Sequence, residues 1–152
     1  MNWVTLKRVK MDRTASAWLI RRFLDREAEF SFVEKDEMEG AIAGGAKPFH
    51  NYVFTGTPRE HSGFQELLME HELDKSDPAL VLMGQSVRAA ERAGWAKDGS
   101  ENHGLWAIAN GISDLAGGND AETIERMLPV YDALYAYCKQ RALGEAGWKS
   151  DS

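Results

Sequence analysis

The spacing of hydrophobic and polar residues changes after the first third of the chain. Apolar and polar residues nearly alternate over residues 3–11 and again over residues 29–33, which predicts two strands. Between them, residues 12–26 carry apolar side chains at helical spacing and begin with Asp12, a favourable N-cap residue. A strand–helix–strand order of this length predicts a βαβ unit with parallel strand pairing.

The middle of the chain contains shorter segments. Residues 36–43 predict a short helix that Gly44-Gly45 ends, and residues 47–54 predict a third strand. Residues 55–63 form the longest turn-rich stretch, and loops of that length in a compact domain often carry function. A helical pattern resumes over residues 64–73.

From Asp77 onward the pattern predicts only helices. Asp77-Pro78 is typical of a helix start, and that helix extends to about residue 93. Residues 105–112 form a strongly apolar helix that ends at Gly117-Gly118, and Asn119 is the predicted cap of a last helix. We therefore predict an α+β fold, in which a small N-terminal mixed or parallel sheet packs against a predominantly helical C-terminal two-thirds. We expect residues 1–143 to form a single domain and residues 144–152 to form a flexible tail.

Composition narrows the classes of function. The 152 residues are 43% hydrophobic and 28% charged, as in one soluble globular domain. The net charge of −6 disfavours direct nucleic-acid binding but leaves room for a small basic pocket. We expect no membrane association and no signal peptide, because no apolar run has the length or flanking charges of either. The single Cys138 permits no internal disulfide, so we expect a cytoplasmic protein.

The first predicted helix carries arginine residues at positions that favour an anion. Trp18, Leu19 and Arg22 share one helix face, so the guanidinium of Arg22 needs an anionic partner on a stripe that otherwise faces the core. Arg13 lies in the first turn, where the helix dipole also favours negative charge. One interpretation pairs both arginines with acidic side chains of this acidic chain. The other is a pocket for a small oxyanion.

Residues around the turn-rich stretch support a second hypothesis, a metal site. His61 precedes a predicted helix, Glu66 lies in its first turns, and Asp12 could complete a set of ligands for a divalent ion. The signal is weak, since no histidine pair has HExxH spacing and these residues also suit a loop and a solvated helix surface. Neither a serine-hydrolase elbow nor a glycine-rich phosphate loop occurs in the sequence.

Five segments of the chain form a further pattern, in order along nearly its whole length. They are RVKMDR continuing into AWLIRRF (residues 8–23), EAEFSFV (27–33), GAKPF (45–49) followed by HSGF (61–64), DPAL (77–80) leading to VRAAE (87–91), and YDALYAYC (131–138). Together they resemble the C-terminal domain of the chromate-resistance protein B (ChrB) family, whose pattern near the first segment is close to R-P-H-I-D-R-x-A-C-x-W-L-I-R-R-F. Matching positions that carry polar chemistry are Asp12, Arg13, Arg22, His61 and Glu91.

The resemblance implies a role in chromate resistance. Longer relatives are described as chromate-responsive regulators of a chromate efflux operon, and this chain looks like a short standalone form without their N-terminal half. It departs from the family pattern at Lys10, Ser16 and Gln65, where the family has histidine, cysteine and an acid, and it lacks a short cysteine-containing insert. These changes weaken a transition-metal site, whereas Lys10 adds a positive charge that suits an anion.

The sequence therefore favours a chromate-resistance-associated protein that binds or senses a small oxyanion through Lys10, Arg13, Arg22 and His61. One alternative is a metal-dependent redox or detoxifying enzyme that uses Asp12, His61 and Glu66. Another is a non-catalytic interaction module, which could form a homodimer. The sequence leaves open whether the chain catalyses any reaction.

Overall fold

A three-stranded parallel sheet is formed by the first third of the chain. The computed structural model describes residues 1–50, 59–96 and 101–145, without the side chains of residues 93–96, 101, 102 and 145. Its strands are β1 (Asn2–Leu6), β2 (Glu29–Val33) and β3 (Lys47–Pro48), in the order β2-β1-β3. Because β1 pairs in parallel with both neighbours, the predicted βαβ unit is confirmed.

Helices account for most of the remaining described chain. Helix α1 (Met11–Leu19) continues into a π-helical turn (Ile20–Leu24), and a 3-10 turn (Lys35–Glu37) leads into α2 (Met38–Ala43). The later helices are α3 (Gly63–Glu70), α4 (Leu73–Ser76), α5 (Pro78–Ala96), α6 (Glu101–Leu115) and α7 (Asp120–Glu145). The α+β architecture with a helical C-terminal two-thirds is therefore confirmed.

Strand β1 is shorter than the predicted strand because the backbone turns sharply at Arg8. Arg8 has a left-handed φ of 65°, and β1 ends at Leu6. The N–H groups of Arg8 and Val9 donate hydrogen bonds of 3.0 and 2.9 Å to the carboxylate of Asp120, the first residue of α7. After this turn the chain leads directly into α1. The prediction of a strand over residues 3–11 is therefore wrong for residues 7–11.

Helix α1 begins one residue earlier than the predicted cap. Lys10 takes the N-cap position with an extended backbone, and Asp12 already lies in the first turn. The prediction that Asp12 caps this helix is therefore wrong. Asp77 and Asn119 do cap helices as predicted, since they accept from the N–H groups of Ala79 at 3.0 Å and Glu122 at 2.9 Å.

Other element boundaries differ from the sequence pattern. Strand β3 has only two residues, because the chain leaves the strand before Phe49 and His50 has a left-handed φ of 45°. Residues 51–58, which include the last part of the predicted strand and the start of the turn-rich stretch, lie outside the described residues. Helix α6 starts at residue 101, so it is longer than predicted. Helix α7 continues to residue 145, so the predicted tail begins inside this helix, and residues 146–152 lie outside the described residues.

Helix α1 lies at the centre of the hydrophobic core. It packs against α3, α5 and α7, and Ala15, Trp18 and Leu19 are fully buried, as the helical pattern predicts. The buried indole of Trp18 donates its N–H to the carboxylate of Asp132 on α7 at 2.7 Å. Among the described helices, none is both long and apolar enough to cross a lipid bilayer.

A buried polar group joins the first turn of α1 to α7. The hydroxyl of Tyr131 lies 3.0 Å from the carbonyl oxygen of Met11 and 2.8 Å from the hydroxyl of Thr14. Tyr131 has no exposed surface, and this burial raises the pKa of its phenol far above the usual range, so it stays a neutral hydrogen-bonding group. This contact fixes the position of the residues that precede and begin α1.

We predict that Tyr131→Phe lowers the free energy of unfolding by about 1–2 kcal/mol, because it removes a buried hydrogen-bonding hydroxyl. The measurement is urea denaturation followed by circular dichroism. Tyr137→Phe is the matched control on the same helix, because Tyr137 is 55% exposed, and its effect should stay within about 0.5 kcal/mol. Equal effects of the two variants would contradict a structural role for the Tyr131 hydroxyl.

Candidate anion-binding cleft

A cleft of about 670 Å³ opens beside the N-terminus of α1. Its walls come from the start of α1, the segment that precedes α3, the middle of α5 and the first half of α6. The described residues that line it are Lys10, Met11, Asp12, Arg13, His50, Arg59, His61, Ser62, Arg88, Glu91, Arg92, Trp106 and Asn110. The cleft therefore collects residues that are far apart in the sequence.

Cationic side chains outnumber carboxylates among these lining residues. The five cationic ones are Lys10, Arg13, Arg59, Arg88 and Arg92, whereas the carboxylates are Asp12 and Glu91. The whole chain has a net charge of −6, so this cleft is a local reversal of the charge of the protein. A concave site with an excess of one sign of charge concentrates ions of the opposite sign, and the excess of cationic groups here favours anions.

The carboxylate of Asp12 forms the floor of the cleft and caps a different helix from its own. Its two oxygens accept hydrogen bonds from the N–H groups of Gly63 at 2.7 Å and Phe64 at 2.9 Å, the first two residues of α3. Asp12 is only 2% exposed, so these bonds to a helix N-terminus compensate the burial of its charge. The N-terminus of α3 is therefore occupied by an anion of the protein itself.

The close approach of His50 to α3 explains the glycine at the start of that helix. The Nε2 atom of His50 lies 3.2 Å from the Asp12 carboxylate, and a Cβ on Gly63 would lie 2.6 Å from the His50 ring. Burial lowers the pKa of His50 to about 4, so at neutral pH the ring is uncharged and its Nε2–H donates to Asp12. The His50 carbonyl accepts from Nε of Arg13 at 3.2 Å, which orients this arginine beside the cleft.

Glu91 on α5 takes the place of an anion at the N-terminus of α1. Its carboxylate accepts the backbone N–H of Asp12 at 3.1 Å. Burial, and next the negative charge of Asp12, raise the pKa of Glu91 to about 7, although that N–H and the cations Arg13 and Arg88 oppose the change. Glu91 is therefore a carboxyl group that gains or loses its proton near neutral pH inside the cleft.

Two arginines hold the segment before α3 against the rest of the structure. Arg59 forms an ion pair with Glu66 of α3, and Arg88 of α5 donates a hydrogen bond to the carbonyl oxygen of Arg59. Ser62 caps α3 through a capping box, because its hydroxyl accepts the N–H of Gln65 at 3.1 Å while the Gln65 side chain accepts the N–H of Ser62 at 3.0 Å. These contacts define the wall that carries Arg59.

The cleft contains three of the four predicted anion-binding residues. Lys10, Arg13 and His61 line it, and the His61 side chain is 42% exposed at its edge. Arg22 is not among the lining residues: it lies in the π-helical turn, where the change of helical period takes it off the buried stripe. The Arg22 side chain is 40% exposed, and its guanidinium pairs with the Asp132 carboxylate at 2.9 Å, which agrees with the interpretation of an acidic partner.

The three predicted metal ligands are not brought together. Asp12 is used by the N-terminus of α3, Glu66 pairs with Arg59, and His61 lies 3.9 Å from the exposed Glu60. Within residues 1–50, 59–96 and 101–145, no group of three or more His, Cys, Asp or Glu side chains is placed to hold a metal ion. Asp12 and Glu66 are therefore engaged by groups of the protein itself.

Several residues of the cleft were not predicted from the sequence. Arg88 and Arg92 are four residues apart on α5, so their shared helix face could have been read from the sequence. Arg59 lies in the turn-rich stretch that was expected to carry function. The orientation of its side chain depends on the ion pair with Glu66, which the sequence alone does not reveal. Nothing in the local pattern around Trp106 distinguishes it from a core residue.

We predict that Glu91→Gln changes the pH dependence of stability. A carboxyl whose pKa is raised on folding stabilises the folded protein less as the pH rises from its unfolded pKa of 4.5 to its folded pKa of about 7. Glutamine keeps the acceptor for the Asp12 N–H without the charge. Glu91→Gln should therefore be more stable than the native protein by about 1–3 kcal/mol at pH 8 and nearly equal to it at pH 5.

The measurement is urea denaturation at intervals of pH from 5 to 8. Glu60→Gln is the control, because the Glu60 side chain is 90% exposed and should shift stability little at any pH. A difference between Glu91→Gln and the native protein that is the same at every pH would show that Glu91 does not titrate in this range.

Comparison with known proteins agrees with the resemblance seen in the sequence. The family model described as "ChrB, C-terminal domain" matches residues 3–138. Protein ChrB of Cupriavidus metallidurans is 30% identical over 139 residues, which are 89% of this chain and 40% of that protein, so the chain spans less than half the length of this relative. No solved structure matches the chain significantly. The family match covers both α1 and the cleft, and the chain belongs to the ChrB C-terminal domain family.

Proposed function

We propose that this chain is a cytoplasmic, chromate-resistance-associated protein that binds a small oxyanion of the chromate type in its cationic cleft. Membership of the ChrB family supports the association with chromate resistance. The observation that carries the binding proposal is the set of five cationic side chains around one cleft in a chain of net charge −6.

The chemistry of the cationic groups suits a tetrahedral dianion. Guanidinium groups are planar, permanently charged and present several N–H donors, so they form charge-assisted, often bidentate hydrogen bonds to oxyanions. Four of the five cations are arginines, and Lys10 adds a mobile ammonium at the N-cap of α1. Together these residues could neutralise an anion without any metal ion.

The carboxyl of Glu91 competes with such a ligand. It lies among the same lining residues as Arg13 and Arg88, and both cations act electrostatically on it. When Glu91 is ionised, it neutralises part of the positive charge that a ligand would use; when it is protonated, that charge is available. Binding of an oxyanion should therefore be linked to proton uptake by Glu91.

We predict that Arg88→Gln weakens binding of chromate and of sulfate by about tenfold or more, because it removes a charge-assisted donor from the cleft. Both dianions are titrated by isothermal calorimetry at one pH and one salt concentration, and raised salt should weaken binding further. Sulfate is included because it has nearly the same shape and charge as chromate.

Two arginine variants outside the cleft control for a general loss of positive charge. Arg126→Gln removes an exposed arginine that pairs with Glu122, and Arg22→Gln removes the arginine that pairs with Asp132. Both should bind the dianions within about twofold of the native protein. Equal losses in all three variants, or no heat with either dianion in a folded native protein, would refute binding in the cleft.

We predict that sulfate binds the native protein more weakly at pH 8 than at pH 6, because Glu91 becomes negative as the pH passes its pKa of about 7. Sulfate keeps its charge over this range, and His50, with a pKa of about 4, stays neutral. Glu91→Gln should bind sulfate at pH 8 as tightly as the native protein does at pH 6.

His61→Gln serves as the control for this pH effect, because it removes the second imidazole that lines the cleft. It should retain the weakening between pH 6 and pH 8. A flat profile in His61→Gln together with a sloping one in Glu91→Gln would assign the effect to the histidine instead.

A further inference from the structure

The cleft is much larger than the small oxyanion that its charges suggest. Chromate has five heavy atoms and takes the place of about three water molecules, each with a share of about 30 Å³ in the liquid. The cleft has about 670 Å³, within the range of about 300–1,000 Å³ that is usual for sites of larger organic ligands. A single oxyanion would leave most of this space to water.

The cationic side chains come from several walls of the cleft. Arg13 is in the first turn of α1, Arg59 precedes α3, and Arg88 and Arg92 lie one turn apart on α5. One tetrahedral group can accept from two or three guanidinium groups, whereas two linked anionic groups use a larger set. Because these cationic side chains are numerous and lie on different walls of the cleft, they suit a ligand with more than one negative group.

One wall of the cleft is aromatic and has no role in binding an inorganic anion. Trp106 on α6 is half-buried and lines the cleft, and its ring is stacked on that of His103, with centroids 5.6 Å apart and planes at 16°. Asn110 lies one turn further along the same helix and also lines the cleft. The Asn110 amide nitrogen donates to the carbonyl oxygen of Trp106 at 2.8 Å, so the amide oxygen is the group that a ligand could use. An indole and an amide oxygen on one wall are the combination that packs against a planar nitrogen-containing ring and accepts a hydrogen bond from it.

We propose that the cleft binds a ligand of the nucleotide class, in which linked phosphate groups meet the arginines and a planar ring lies against Trp106. This inference rests on the proposed function, since it treats the oxyanion group as one part of a larger molecule. The arginines of α1 and α5 bind the phosphates, and Trp106 and Asn110 bind the ring.

The test compares the binding of one such ligand, ADP, with the binding of its phosphate part and its nucleoside part. ADP, pyrophosphate and adenosine are titrated separately into the full chain by isothermal calorimetry in metal-free buffer, and ADP is also titrated in the presence of sulfate. ADP should bind roughly tenfold more tightly than pyrophosphate, since stacking of one base on an aromatic side chain contributes about that factor or more. Sulfate should compete with ADP, and adenosine alone should bind weakly.

Variants of Trp106 test whether the planar ring of ADP lies against this side chain. Trp106→Leu should reduce ADP affinity about tenfold and leave pyrophosphate affinity within twofold, while Trp106→Phe should restore most of the ADP affinity. Arg88→Gln should weaken ADP and pyrophosphate alike. Circular dichroism shows whether each variant is folded.

The outcomes separate this inference from the proposed function. Binding of sulfate and pyrophosphate with no additional affinity for ADP would overturn the nucleotide class and leave the oxyanion site standing. Binding of ADP with no detectable binding of sulfate, chromate or pyrophosphate would overturn the free-oxyanion function and support the larger ligand. No binding of any of these compounds to the folded protein would overturn both.

Discussion

The buried carboxylate of Asp12 is the interaction on which the arrangement of the cleft depends. It belongs to the first turn of α1, yet both of its oxygens are bound by the first N–H groups of α3. A carboxylate this buried is tolerated only where donors compensate it, and a helix N-terminus supplies both hydrogen bonds and a favourable dipole. Moving either helix would leave the charge without these donors. The two helices are therefore held in one relative position, and the residues that flank them, including Arg13 and His61, are held at the same cleft.

A second carboxylate makes the same use of a helix N-terminus. Glu91 accepts the N–H of Asp12, so α5 supplies an anion to α1 while α1 supplies one to α3. The ordinary anion-binding places of these two helices are thus already taken by the protein, and a ligand must be bound mainly by side chains. The two carboxylates differ in their donors: Asp12 accepts from two helix N–H groups, whereas Glu91 accepts from one. Burial, and next the negative charge of Asp12, raise the pKa of Glu91 to about 7.

The sequence was sufficient for the fold and for only part of the cleft. Periodicity identified the βαβ unit and the helical remainder because local spacing reports which face of an element is buried. Arg13 and His61 were predicted from their positions beside helix starts, which are local properties, and Lys10 was predicted from the family resemblance. A π-helical turn changes the helical period at Ile20, and Arg22 lies outside the cleft and pairs with Asp132, which is the acidic-partner interpretation of the two that the sequence left open. The role of Asp12 was predicted wrongly, because a helix cap supplied from another helix leaves no local signal. Arg59 and Trp106 reach the cleft only through tertiary packing.

The three residues that differ from the family pattern, Ser16, Gln65 and Lys10, have different physical roles in this chain. Ser16, at the position of a family cysteine, donates its hydroxyl to the carbonyl oxygen of Asp12 at 2.7 Å and is fully buried, so it braces the first turn of α1 and does not line the cleft. Gln65, at the position of an acid, completes the capping box of α3 with its amide oxygen. An acid there could make the same hydrogen bond but would add negative charge near the cleft. Lys10, at the position of a histidine, lines the cleft with a cationic side chain. All three replacements therefore leave the framework intact, and those at Gln65 and Lys10 shift the charge near the cleft toward anions.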